Sequence, residues 1–170
     1  MSVLLGNKNR LLKGVVAIAC LLPFTNGALA ATTVSNFAVQ IAIAASCTIN
    51  SASTLNFGSQ GVLTANVDQT STLQVQCTNT TPYNIGLNAG TGSGATVATR
   101  KMTSGANTVN YSLYTDAGRS TVWGDTVGTD TVTGTGDGAS QSYTVFGRVP
   151  SQTTPAPGSY SDTVTVTVTY

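Results

Sequence analysis

The stretch FAVQIAIAASCTI, beginning at Phe37, alternates strictly over its first eight residues. Phe37, Val39, Ile41 and Ile43 are large and apolar, while Ala38, Gln40, Ala42 and Ala44 between them are small or neutral. Successive side chains of a strand point to opposite faces, so this pattern predicts a β-strand with one greasy face. The same period recurs downstream. Leu73, Val75 and Cys77 share a face in STLQVQC, Tyr83, Ile85 and Leu87 in YNIGLNAG, and Val109, Tyr111 and Leu113 in VNYSLYTD. TLNFG (54–58) and QSYTVFGRV (141–149) read as further short strands. The last stretch, YSDTVTVTVTY, sets Val164, Val166 and Val168 against Thr163, Thr165, Thr167 and Thr169, and reaches Tyr170.

Between these runs lie turn clusters. TGSGATVATRKMTSGANT (91–108), carrying Arg100 and Lys101, reads as a solvated loop, and GDTVGTDTVTGTGDGAS (124–140) as a flexible connector. Pro150, Pro155 and Pro157 fall in one loop before the last strand, as proline should. No helical period appears after the first 30 residues. Seven or so strands plus the opening one predict an all-β sandwich or barrel.

The beginning of the chain has a different character. Lys8, Arg10 and Lys13 precede the apolar run LLKGVVAIACLLPF, and Ala28–Ala30 supply a small-x-small cleavage site. This is the build of an export signal. Pro23 and Asn26 interrupt the run well short of the roughly 20 apolar residues a spanning helix needs. Cys20 then reads as one apolar residue of the leader. The expected organisation is a signal peptide over 1–30, the alternating segment over 31–45, and one domain over 46–170.

Charge narrows the functions available. The three leader charges are basic, which leaves Arg100, Lys101, Arg119 and Arg148 against six aspartates. So sparse and slightly acidic a chain lacks the basic footprint of a nucleic-acid binder. There is no histidine and no glutamate. Without imidazole there is no Ser–His or Cys–His relay and no histidine metal site. We therefore expect no enzymatic activity, no cofactor, no metal and no small-molecule substrate. Asp125, Asp130 and Asp137 sit beside glycines in one stretch, where aspartate ordinarily serves turns. Asn79 and Asn110 match the glycosylation pattern, which arises often by chance. Trp123 and the tyrosines read as inward core residues of a sandwich.

Cys47 and Cys77 are the cysteines outside the leader. An even count in an exported chain predicts one disulfide. Closing a loop of about 30 residues restricts the unfolded chain by about 3–4 kcal/mol in the chain-entropy picture.

Particular motifs resemble a known family. VNYSLYTDAGRSTVWGD (109–125) is similar to the signature of the spore coat protein U domain. YTVFGRVPSQTTPAPGSYSDTVTVTVTY (143–170) resembles that family's C-terminal block, LNFG (55–58) also matches, and Cys47 and Cys77 stand where the family places its disulfide. The family includes subunits of archaic chaperone–usher pili. The resemblance implies an incomplete immunoglobulin-like β-sandwich with an N-terminal donor strand. In such a subunit Phe37, Val39, Ile41 and Ile43 would fill a groove in the next copy, making a head-to-tail polymer. Val164, Val166, Val168 and Tyr170 would form the C-terminal strand that meets a periplasmic pilus chaperone before an outer-membrane usher takes over. It further implies a surface pilus that supports adhesion and biofilm formation, reached through the periplasm. Two other expectations stand beside it. One is a spore or cell-surface coat protein. The other is a small outer-membrane β-barrel, which the alternating C-terminal strand and its aromatic end would also suit.

Overall fold

A computed structural model of the chain describes Gly27 and residues 29–170. The signal peptide expected over 1–30, with Cys20, falls almost wholly outside the described residues. Backbone contacts separate Met1–Gln40 from Ile41–Tyr170. Residues 29–46 carry no strand.

Eight strands follow: β1 (Cys47–Ala52), β2 (Val67–Cys77), β3 (Pro82–Leu87), β4 (Arg100–Ser104), β5 (Asn107–Tyr114), β6 (Val132–Thr135), β7 (Ser140–Val149) and β8 (Val166–Thr169). Among the described residues there is no helix. Every pairing is antiparallel. One sheet runs β1-β2-β7-β5-β4 and the other β6-β3-β8. This is the immunoglobulin-like sandwich that the family resemblance implied. The strand orders end on the edges β1, β4, β6 and β8, whereas a closed barrel has no edge, so the barrel expectation fails.

The period-2 faces close onto one another. Leu73, Val75 and Cys77 of β2, Tyr83, Ile85 and Leu87 of β3, and Val109, Tyr111 and Leu113 of β5 are all buried in one core with Trp123 and Val145. Large side chains of this kind each contribute about 1.5–3 kcal/mol on burial. The Trp123 indole N–H donates to the Ile85 carbonyl at 2.8 Å, so the core's largest side chain leaves no bare polar atom. The Cys47–Cys77 disulfide forms, joining residues directly opposite each other on β1 and β2.

Three sequence expectations need correction. TLNFG is not a strand, although Leu55 and Phe57 pack on the core. The 91–108 tract is not simply a solvated loop. It contains β4, which pairs with β5 across a turn at Gly105, and its Arg100 is completely buried. The 124–140 connector contains β6, which pairs with β3. In the last two cases Thr, Ser and Gly mask the strand signal, because the strands are short and sit at sheet edges with little apolar surface.

Candidate functional site

A groove of about 1240 Å³ opens between the two sheets. Its floor is made of inward core residues, among them Leu73, Leu87, Val109, Tyr111 and Val145. One wall is the irregular segment from Ser53 to Leu63, with Leu55, Phe57 and Leu63 turned to the core. The other wall is the approach to β8, from Tyr160 through Val164 to Val166.

Local sequence explains why each wall stands where it does. Leu55 and Phe57 settle over β7 because residue 147 is glycine. A Cβ there would lie 2.6 Å from Leu55 Cδ1 and 3.1 Å from Phe57 Cζ. Phe57 then meets Tyr111 edge to face, ring centroids 6.3 Å apart. On the opposite side, the proline loop ends at Ser161, which bridges to Thr103 of β4. Asp162 next fixes the chain's direction. Its carboxylate accepts hydrogen bonds from the Thr91 N–H and hydroxyl at 2.8 Å each, from the Thr163 N–H at 2.8 Å, and from the Tyr111 hydroxyl at 2.7 Å. Burial alone would push this carboxyl up, but the donors from Thr91, Tyr111 and Thr163 outweigh it and hold Asp162 below the ordinary carboxylate value. Burial pushes the Tyr111 hydroxyl well above its ordinary value, so it stays a neutral donor. Beyond Asp162, Asn88 Oδ1 accepts from the Thr165 N–H at 2.8 Å, and β8 joins β3 from Val166.

Arg100 braces the structure behind this wall. Its guanidinium donates to the carbonyls of Asn88 at 2.8 Å and of Val97, Leu87 and Trp123 at 2.7 Å each. Burial lowers its pKa, yet the charge is held by four oriented backbone dipoles. Sequence reasoning missed this role. The available signal was the run Arg100-Lys101-Met102 in a tract otherwise made of small residues.

The groove has one free rail. β8 pairs with β3 on one side and ends its sheet on the other, so among the described residues no strand pairs with its outer edge. Val164, Val166 and Val168 are half-buried against the core while the threonines between them are exposed. Val164 and Val166 line the groove. Tyr170, beyond the strand, is 59% exposed. The residues of the opening segment are far more open: Phe37, Val39, Ile41 and Ile43 are 87, 83, 85 and 75% exposed.

The remaining charged groups form local ties. Asp68 receives a two-pronged contact from Arg148, at 2.7 and 2.8 Å, and Arg119 lies 3.3 Å away. The Arg148 hydrogen bond leads the causes that hold Asp68 low. Asp130 and Asp137 accept backbone N–H groups of Thr126 and Ala139, as turn residues do. Among the described residues, no group of three or more His, Cys, Asp or Glu could hold a metal ion.

Comparison with known proteins places this geometry. The sequence profile of the Spore Coat Protein U domain matches residues 33–167. Protein U of Myxococcus xanthus is 36% identical over 171 residues, covering 92% of this chain and 94% of that protein. Among solved structures, the chain resembles one in the chaperone–tip adhesion subunit pre-assembly complex of CsuC and CsuE, from the archaic chaperone–usher Csu pili of Acinetobacter baumannii. That match has a TM-score of 0.54 at 25% identity, covering 75% of this chain and 40% of the other. The profile spans both groove walls, the disulfide and the first half of β8, and the chain belongs to the spore coat protein U domain family.

Proposed function

We propose that the protein is a structural subunit of a chaperone–usher surface fibre, joined by strand exchange between copies. The observation that carries this is the open apolar groove beside the free edge of β8. Its occupant is the opening segment of a second copy. Residues 31–46 are free of charge, residues 37–44 alternate large and small, and Val34, Phe37, Val39, Ile41 and Ile43 are all exposed. A strand laid along β8 satisfies the free backbone edge and inserts alternate side chains, the general mode of strand addition. Four large side chains at about 1.5–3 kcal/mol each, together with the ladder, make a strong joint. Donor and acceptor are different surfaces, so the contact is head-to-tail and extends into a fibre. A chaperone covers the groove beforehand, with Val164, Val166, Val168 and Tyr170 at its contact, and an usher exchanges it for the donor. The chaperone complex of the Csu subunit supports this order of events. The assembled fibre serves attachment and biofilm formation at the cell surface. Such a role needs no catalysis.

Two substitutions test the joint. Ile41→Asp sets a charge on the face that enters an apolar groove, which costs several kcal/mol, while Gln40→Asp sets it on the opposite face. Both variants should reach the periplasm folded. Fibre mass sheared from cells should collapse for Ile41→Asp and fall only slightly for Gln40→Asp. Equal yields from the two would refute strand exchange through this segment.

A further inference from the structure

We infer that the wall segment Thr54–Gln60 is a strand held out of pairing by its own side chains, and that Gln60 regulates how readily the groove accepts a donor. The inference rests on the strand-exchange reading. Thr54 and Asn56 are exposed while Leu55 is half-buried and Phe57 buried, the alternation of a strand. Yet the segment has no ladder. Ser53 still donates to Thr72 O, and the next tie to another element is at Leu63, with Gln152 and Thr154. Among the described residues, no backbone–backbone hydrogen bond involves residues 54–61.

Two side chains stand in for the missing neighbour. Asn56 Oδ1 accepts the Gly58 N–H at 2.9 Å, and the Gln60 amide donates to the Phe57 carbonyl at 2.6 Å. Gly58, at φ 74°, makes the turn these bonds require. All of these residues line the groove. A strand entering between β8 and this wall brings its own N–H row, which suits the Phe57 carbonyl as well as the Gln60 amide does. Entry then exchanges a local hydrogen bond for a ladder bond, and Gln60 competes with the donor.

The test uses the full chain and a labelled synthetic peptide of residues 33–45. Gln60→Glu keeps the side chain's shape but removes its N–H donors, and Gln60→Ala removes the group altogether. Both should take up the peptide about fivefold faster than the unaltered chain, the scale of one neutral hydrogen bond. Amide exchange should show Leu55–Phe57 becoming protected when peptide is bound, with β2 and β7 equally protected in all three proteins. Uptake that is unchanged or slower in both variants overturns the inference. So does a bound peptide that protects β8 alone. Failure of the peptide to bind any of the three removes the strand-exchange reading and this inference with it.

Discussion

Around Arg100 and around the groove, the chain treats its loose backbone in opposite ways. At Arg100, four carbonyls from three segments converge on a single guanidinium inside the protein. At the groove, the edge of β8 and the wall from Thr54 to Val62 leave comparable groups without a partner strand, above an apolar floor. Buried backbone must be paired, so the first region is complete in one copy, while the second keeps an exposed backbone edge that the proposed donor strand would cover.

The largest expected effect breaks the finished side. Arg100→Met keeps volume but strips the donors from four carbonyls, each costing about 1–3 kcal/mol when left bare. We expect a loss of at least about 4 kcal/mol, read from the urea midpoint, and little folded protein at 37 °C. A loss under 1 kcal/mol would mean that the carbonyls find other partners and that the contrast is false.

Next in size is the disulfide. Replacing Cys47 and Cys77 by alanine should cost about 3–4 kcal/mol. The bridge binds β1 to β2 and lies apart from the groove lining, so donor-peptide affinity of the folded fraction should hold. An affinity loss beyond threefold would tie the disulfide to the open side after all.

Gly147→Val probes the open side from beneath. The new side chain collides with Leu55 and Phe57 and must displace the wall, at about 1–3 kcal/mol of stability. Peptide binding should fall more steeply than stability does. Both falling together would place the wall in the core's own packing.

The smallest effect concerns Asp162, where the two regions meet. Asp162→Asn should cost about 1–2 kcal/mol at neutral pH, as charge-assisted hydrogen bonds weaken. The carboxyl is held below its ordinary 3.8, so its contribution is present above that value and lost as pH falls through the lowered one. The stability gap between the two proteins should be constant from pH 5 to 8 and shrink below about 3.8. Thermal melts across that range check it, and a gap that persists in acid would rule out the carboxylate as its source.

Legibility in the sequence followed burial on a period of two. The faces of β2, β3 and β5 could be read from Leu73–Cys77, Tyr83–Leu87 and Val109–Leu113, because each presents one apolar side to the core. β4 and β6 could not, since edge strands of Thr, Lys and Gly offer no contrast between faces. TLNFG has the alternation of a strand, but among the described residues its backbone pairs with no neighbouring strand. Val164 and Val166 were identified by alternation, whereas Arg100 and Asp162 were not. Their roles come from carbonyls and hydroxyls brought together across the chain, as with Thr91 and Tyr111 on Asp162, and no local spacing encodes that.

The placement of the four cations after residue 30 bears on resistance to proteolysis. Arg100 is enclosed by carbonyls, Lys101 lies on β4, Arg119 sits in a turn donating to the Gly147 carbonyl, and Arg148 is paired on β7. The exposed segment 31–46 contains neither lysine nor arginine. A protease that cuts after basic residues therefore meets no bond it can cleave in that segment, and the bond after Arg100 becomes reachable only when the fold comes apart.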